Sequence, residues 1–433
     1  MMVRAVLFWV DTVRRYGERG AMEGFTRLAM LAEDMELEVD DTPAAVVPAA
    51  PPTDPFTLAG TDECPATPAG KPKADKAAST APAAHGLPIH MAALPDGRRV
   101  PLLKSLLTSA CERNCYYCPF RAGRDMRRVS FKPDEMAQMV VDLTQKKVIE
   151  GAFLSSGIAG GGIRTQDKLI DTAEILRKKK GYKGYLHLKL MPGAEQAQIE
   201  RAMQLANRVS VNLEAPNAKR LELLAPQKDL LDELLRPLRI VEQIRRTQPG
   251  HQGWNGRWPS TTTQFVVGAV GESDLELLQT VAYLYQKLRL ARSYFSGFNP
   301  VRDTPFSDRE RVNPWRQHRL YQASFLLRDY GFDLEDMPFQ SGENLPLEVD
   351  PKQAWASRNL SEAPVEINRA DRHELLRIPG IGLRGAQAIL NARVGGTLLR
   401  SVEDLKALGV WANRASPFIL LDGRRPPVQL SLF

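Results

Sequence analysis

From about Arg98 to about residue 300 the sequence alternates short apolar runs with stretches of helical periodicity. No other feature limits the fold as much. The apolar runs are residues 102–107, 152–155, 185–190, 209–213, 262–267 and 293–298. Residues 167–179, with Leu169, Ala173 and Leu176 on one face, and residues 195–207 read as two of the intervening helices. Repeated strand–helix units with hydrophobic strands predict an α/β fold with a parallel sheet, either a barrel or part of one.

Gly- and Pro-rich segments follow the strands directly: SSGIAGGG, MPGA, EAPNAK, GAVGES and FNPVRDTP. In barrels the chemistry sits at the C-terminal ends of the strands, so these loops mark the active face. The aromatic and basic segment PGHQGWNGRWPS precedes a strand and is expected on the opposite face, in a structural role.

The first strand runs into CERNCYYCPFR, which places Cys111, Cys115 and Cys118 in a C-x3-C-x2-C spacing. Three thiolates on one short loop suit a soft metal centre. The fourth cysteine of the chain, Cys64, lies in a stretch that reads as unstructured. A structural zinc site wants four protein ligands, and ferredoxin spacings differ from this one. Three ligands without a fourth fit a four-iron cluster with one iron open, while the residues alone also allow a zinc knuckle or a structural thiol cluster.

CERNCYYC resembles the cluster motif of the radical S-adenosylmethionine superfamily, including an aromatic residue, Tyr117, just before the third cysteine. The resemblance implies a partial (β/α)6 TIM-like barrel, a [4Fe-4S] cluster on Cys111, Cys115 and Cys118, and S-adenosyl-L-methionine bound at the open iron. It also implies a low-potential electron donor and a 5′-deoxyadenosyl radical that takes hydrogen from a substrate. Ser155, Ser156 and Gly157 fall where the family has a Gly-Gly-Glu-like motif for the methionine amino group, with Ile158 in place of the acid. Asn212 and Glu214 in VNLE resemble the ribose-contacting pair, and alternation puts both on one face of a strand. Residues 268–271 loosely resemble the glycine motif near adenine. Arg121, Arg124, Arg127, Arg128 and Lys132 follow the cysteines and are candidates for substrate phosphates, with solvated charge as the alternative.

The 433 residues divide into several regions. Residues 1–39 read as a helical segment, with Phe25, Leu28, Leu31 and Met35 at helical spacing. Residues 40–92, rich in Ala, Pro and Thr, read as a disordered linker. The barrel is assigned to 93–340, a polar connector to 341–364, a small all-α domain to 365–424 and a tail to 425–433. A net charge of +7 is a mild bias towards anionic partners. Four cysteines, three of them clustered, make no disulfide framework. The apolar run at 6–10 is too short for a signal peptide or membrane span. A cytoplasmic protein with no membrane association is expected.

In INRADRHELLRIPGIGLRGAQAIL, Asn368 is a plausible N-cap and the turn Pro379-Gly380-Ile381-Gly382 feeds a second helix. The segment resembles the helix-hairpin-helix motif of DNA-binding proteins, which implies phosphate contacts at Gly380, Gly382 and Arg384. SVEDLKALGV, with Ser401 as N-cap, Asp404 three residues on and Gly409 in the turn, reads as a second copy. The final QLSLF resembles the pentapeptide that docks bacterial proteins on the DNA polymerase sliding clamp, through Gln429, Leu430, Leu432 and Phe433. Together these features resemble bacterial radical S-adenosylmethionine proteins of DNA modification or repair. The alternatives are an RNA-modifying enzyme of the same superfamily and a non-catalytic iron-sulfur adaptor on the clamp.

Overall fold

The computed structural model describes residues 19–35, 87–93 and 99–427. These form two compact units. The first holds the described residues up to Glu272 together with Tyr283–Val312. The second holds Ser273–Ala282 and the described residues from Asn313 onward.

In the first unit, helix α1 (Arg19–Met35) buries Leu28 and Leu31 completely. Each such burial is worth about 1.5–3 kcal/mol. Arg27 fixes its approach, donating to the Ser130 carbonyl at 2.8 Å and pairing with Glu135 at 3.2 Å. The sheet then begins with β1 (Ile89–Ala93) and β2 (Arg99–Leu106), which pair antiparallel. Strand β1 starts inside the stretch expected to be a linker up to residue 92. Its alternation IHMAA is too brief and weak to stand out beside the Ala/Pro-rich run.

From β2 onward the sheet is parallel and strictly sequential. The chain passes through α2 (Pro133–Gln145), β3 (Gly151–Ser155), α3 (Gly162–Glu174), β4 (Tyr185–Lys189), α4 (Gln196–Leu205) and β5 (Arg208–Ser210). It continues through α5 (Ala218–Leu224), a π-helical turn (Leu230–Leu235), α6 (Arg236–Thr247), β6 (Ser260–Val267), α7 (Asp274–Leu288) and β7 (Arg292–Gly297). All six strands expected from the sequence are present, and their sequential parallel order gives the curled half-barrel expected from the strand–helix repeat. Their register places Lys104, Phe153, His187, Arg208 and Ser260 side by side in one row across the sheet. In this row and the next the side chains of one parity face the hollow of the sheet. The other parity, with Leu103, Leu154, Leu186, Leu188 and Val209, is buried, on the side where crossover helices cover such a sheet.

PGHQGWNGRWPS does precede β6, and its tryptophans serve the fold. The guanidinium of Arg177 stacks 3.8 Å from the centre of the Trp254 ring, and Trp258 Nε1 donates to the Gln248 carbonyl at 3.2 Å. Arg177 also donates to the carbonyls of Leu205, Tyr182 and Gly184, so it closes the strand ends at the face away from the cysteines.

The second unit contains α8 (Pro314–Asp329), α9 (Pro351–Asn359), α10 (Arg372–Arg377), α11 (Leu383–Val394), α12 (Val402–Ala407) and α13 (Ala412–Ala415). A two-residue parallel pair, β8 (Val365–Glu366) with β9 (Ile419–Leu420), joins its ends. The N-cap of α10 is Asp371, in a capping box with Glu374, rather than Asn368. Asn368 instead bonds both backbone groups of Leu399, donating to its carbonyl and accepting from its N–H. Ser401 and Asp404 form the expected capping box of α12. The turn between α10 and α11 requires glycine at Gly380. Its φ is +83°, and a Cβ there would lie 2.4 Å from the Trp411 carbonyl oxygen. Trp411 N–H donates to the Gly380 carbonyl at 3.0 Å, which locks one helical hairpin on the other.

Candidate functional site

The cysteine loop joins β2 to α2 and is fastened on three sides. Phe131 N–H donates to the Leu107 carbonyl and Ala122 N–H to the Arg113 carbonyl, both at 2.7 Å. Arg128 is the main fastening. It donates to the carbonyls of Ser109 (2.7 Å), Phe120 (2.8 Å), Arg121 (2.8 Å) and Arg124 (3.3 Å), so one guanidinium grips the loop before and after its cysteines. Arg124 donates to the carbonyls of Pro119 and Arg302, and Arg121 donates to that of Asn114. Three of the arginines that were candidates for substrate phosphates therefore bind backbone of their own loop or a neighbouring one. The third side is the segment around α5 and the π-helical turn: Tyr116 N–H donates to Leu224, Asn114 N–H to the Gln227 side chain, and Arg113 pairs with Glu233 at 2.5 Å.

Cys111, Cys115 and Cys118 line one cavity at the C-terminal ends of the strands, and none is in a disulfide. Burial pushes the Cys115 thiol up, with the nearby Lys228 acting against it. Among the described residues, no three His, Cys, Asp or Glu side chains converge as on a single metal ion. Thiolates on a multi-iron cluster are distributed over different irons and have no such requirement.

The opposite lip comes from the loop after β3. Leu107 N–H binds the Ser155 carbonyl and Gly157 N–H binds the Thr108 carbonyl, so this lip is stitched to the base of the cysteine loop. Gly157 is glycine for that reason: a Cβ would stand 2.3 Å from the Ala110 carbonyl oxygen. Ser156 Oγ donates to the Gly157 carbonyl, which leaves the Ser156 carbonyl as the one of the three without a protein donor among the described residues. Ile158 sends its N–H towards Cys111 Sγ at 3.5 Å. The acid expected after Gly157 is absent, but Glu112 reaches across from the cysteine loop and accepts from the N–H groups of Gly160 and Gly161.

Asn212 and Glu214 lie just beyond β5 and both line the cavity. Asn212 Nδ2 donates to Gln264 Oε1 at 3.2 Å. Glu214 is 3% exposed, has a left-handed backbone (φ +66°), and pairs with Lys228 Nζ at 2.9 Å. Left-handed backbone at a non-glycine residue costs of order 1–3 kcal/mol and tends to occur at functional positions. Burial by itself would raise the Glu214 carboxyl, but the charges of Lys228 and Lys189 bring it below the usual range. The Tyr117 hydroxyl lies beside the same carboxylate, and burial followed by that charge holds Tyr117 well above its ordinary value. Among the described residues, Glu214 Oε2 nonetheless has no donor in hydrogen-bonding position. A buried carboxylate oxygen without a donor is costly unless a ligand supplies one.

This donor set fits the groups that the sequence implies. Three soft thiol ligands line one pocket, a buried carboxylate lines it with them, and a carbonyl on the far lip is unused among the described residues. Sequence reading missed Lys228, which stands 110 positions beyond Cys118 in LAPQKDLL, where no local pattern marks it. It also missed Lys104, Lys189 and Gln264, which line the same cavity. For Lys189 a signal exists: the alternation in YLHLK puts His187 and Lys189 on the face opposite the buried leucines. Gly380, Gly382 and Arg384 lie in the second unit, in the α10–α11 turn and the first turn of α11. Arg384 is exposed, whereas Gly380 is engaged by Trp411. Gln429, Leu430, Leu432 and Phe433, and also Cys64, fall outside the described residues.

No family model and no curated relative matches the chain. Among solved structures, the FeFe-hydrogenase maturase HydG from Carboxydothermus hydrogenoformans is similar over 52% of this chain and 51% of that one, at 15% identity and a TM-score of 0.42. Methylornithine synthase (PylB) is similar over 53% and 62%, at 13% identity and 0.42. The radical S-adenosylmethionine methyltransferase TsrM from Kitasatospora setae, with cobalamin and a [4Fe-4S] cluster bound, is similar over 48% and 39%, at 13% identity and 0.36. Each match leaves about half of this chain uncovered, and likeness at this distance carries no conclusion about chemistry.

Proposed function

We propose that the chain is a radical S-adenosylmethionine enzyme that acts on a nucleotide in DNA, in repair or modification. One observation carries the first half of this reading: Cys111, Cys115 and Cys118 share a cavity with the buried Glu214, whose Oε2 has no hydrogen-bond donor among the described residues. When bound there, a [4Fe-4S] cluster with one open iron supplies reductive cleavage of S-adenosylmethionine to a 5′-deoxyadenosyl radical, with an electron from a low-potential donor.

The protein's own share is holding and excluding. The three cysteines hold the cluster, and Arg128 keeps their loop in shape. Glu214 and Asn212 would hold the ribose hydroxyls of the cofactor, and the Ser156 carbonyl would accept from its methionine ammonium. Tyr117 closes the cavity beside the third cysteine. Ser155 and Gly157 contribute by fixing the lip, since their backbone groups are engaged with Leu107 and Thr108.

The DNA half of the reading rests on the second unit. Its two helical hairpins have the sequence features of a helix-hairpin-helix module. Backbone N–H groups at a turn feeding a helix favour an anion. Gly382 and Arg384 take the phosphate-contacting part, and Gly380 shapes the turn. The QLSLF tail would tether the enzyme to the sliding clamp. The test uses DNA carrying deuterium at sugar and base positions, followed by mass analysis of the 5′-deoxyadenosine formed. Deuterium in that product supports DNA as the hydrogen source. Deuterium appearing only from labelled RNA, or from neither polymer, contradicts it.

A further inference from the structure

Lys228 owes its position to the cysteine loop. Tyr116 N–H donates to the Leu224 carbonyl at 2.9 Å and Asn114 N–H to Gln227 Oε1 at 3.1 Å. Residues 224–227 therefore lie against the backbone between Cys111 and Cys118. Arg113 pairs with Glu233 at 2.5 Å and fastens the chain beyond Lys228 to the same loop. Between these anchors Lys228 N–H turns back onto the Ala225 carbonyl at 2.9 Å, and its ammonium meets Glu214 Oε1 at 2.9 Å. Lys228 and Glu214 both line the cavity of the three cysteines, with side chains only 10% and 5% exposed.

A buried ion pair that serves only packing can often be exchanged for apolar side chains at little cost. This pair instead stands where three thiols share a cavity, so its charges act on whatever the thiols hold. The reduction potential of an iron-sulfur cluster follows the net charge around it. A fixed cation nearby favours the reduced form and a fixed anion the oxidised form, and burial strengthens both effects. The two charges do not cancel at the cysteines. Burial raises the Cys115 thiol, and Lys228 lowers it more than Glu214 raises it. The Tyr117 hydroxyl, by contrast, lies against the carboxylate.

From this arrangement we propose that Lys228 is a positioning residue for electron entry: its fixed charge raises the reduction potential of the cluster on Cys111, Cys115 and Cys118, and Glu214 limits that effect. The inference rests on the proposed function for the presence of the cluster. The step it favours is uptake of one electron from the low-potential donor. No bond forms or breaks in that step, and Lys228 keeps its proton throughout.

The test uses the full chain, reconstituted anaerobically with iron and sulfide and kept free of S-adenosylmethionine. Midpoint potentials are read by electron paramagnetic resonance during reductive titration of wild type, Lys228→Arg, Glu214→Gln and the double variant Lys228→Met with Glu214→Gln. Iron content and thermal melting check each protein. The double variant holds no unpaired buried charge, so the comparison does not depend on Lys228→Met folding alone. Glu214→Gln should raise the midpoint, since the cation is then unopposed. Removing Lys228 from that background should lower it by at least about 59 mV, a tenfold change in a one-electron equilibrium. Lys228→Arg keeps the charge and should stay close to wild type. Equal midpoints in Glu214→Gln and the double variant overturn the proposal. So does a double variant that differs from Glu214→Gln only in weaker S-adenosylhomocysteine binding by calorimetry, because the lysine then serves the cofactor. A wild-type chain that takes up no iron contradicts the proposed function itself, whereas loaded proteins with unmoved midpoints contradict only the role of Lys228.

Discussion

Lys228 Nζ stands 2.9 Å from Glu214 Oε1, with both side chains almost wholly buried at the cavity that holds Cys115 and Cys118. The carboxylate pairs directly with the lysine, which stays charged despite its burial. Removing one partner of a buried pair leaves an uncompensated charge, at a cost of about 3–5 kcal/mol. Lys228→Met is therefore expected to lower the unfolding free energy from urea titration by that amount, with a matching fall in the midpoint. The double variant Lys228→Met with Glu214→Gln is expected to recover at least half of the loss. Equal midpoints for the single and double variants would show that the pair is not the origin of the effect.

Arg128 makes a separate prediction about the cysteine loop. Its four carbonyl contacts are charge-assisted, and such bonds contribute about 1.5–3 kcal/mol each without adding fully. Arg128→Ala should lose about 2–4 kcal/mol by the same measure and bind clearly less iron per chain on reconstitution. Lys offers three donors on a point charge in place of a planar fork, so Arg128→Lys should restore part of the stability and less of the iron. Full iron content in Arg128→Ala would mean that the loop holds its shape without the grip.

Gly157 tests how tightly the two lips are joined. A methyl group there meets the Ala110 carbonyl oxygen at 2.3 Å, far inside contact distance. Backbone is not displaced cheaply, so Gly157→Ala should destabilise by about 1–3 kcal/mol and shift the signals of the cysteine loop in spectra of the iron-loaded protein. Unchanged stability and spectra would contradict the packing described.

The pH dependence of stability follows from two histidines. His187 is held well below its ordinary value of 6.5, and burial pushes His318 down to about 4, with Arg319 nearby acting the same way. A residue kept neutral in the fold binds its proton more readily when unfolded. The unfolded chain therefore takes up more protons once the pH drops below about 6.5, and stability is lost on that side. Between pH 7.5 and 5 the urea midpoint should fall, before most carboxylates titrate. His187→Gln should flatten this slope, and an identical slope in the variant would rule out His187 as its source.

DNA binding is best tested at Arg384, because Gly380→Ala would drive a methyl group into the Trp411 carbonyl and disturb the hairpins themselves. Thermal melting of Arg384→Ala checks that the fold is kept. The variant should weaken duplex binding and reduce the salt slope by about 1, the signature of one lost phosphate contact. An unchanged slope would remove Arg384 from the interface.

The parallel strands were legible because each is a short apolar run closed by a Gly/Pro loop, and their inner faces follow from alternation once the sheet is known. The cysteine triplet was legible because its ligands are local in sequence. Lys228 was not, since a lysine after a proline turn looks like any solvated charge until α5 folds back on the cysteine loop. The arginines after Cys118 misled for the opposite reason. A run of cations suggests an external anion, and nothing in the sequence shows that backbone carbonyls of the same loop bind Arg128. Strand β1 was obscured by its Ala/Pro-rich flank, and the hairpin cap passed from Asn368 to Asp371 because Asn368 is engaged by Leu399.

The central claim is tested most directly by anaerobic reconstitution with iron and sulfide, reduction with dithionite, and addition of S-adenosylmethionine to wild type and Cys115→Ala. The account predicts about four irons per chain and 5′-deoxyadenosine formation in wild type, with both lost in the variant. A wild-type chain that binds the cluster but never cleaves S-adenosylmethionine, with or without DNA, would contradict it.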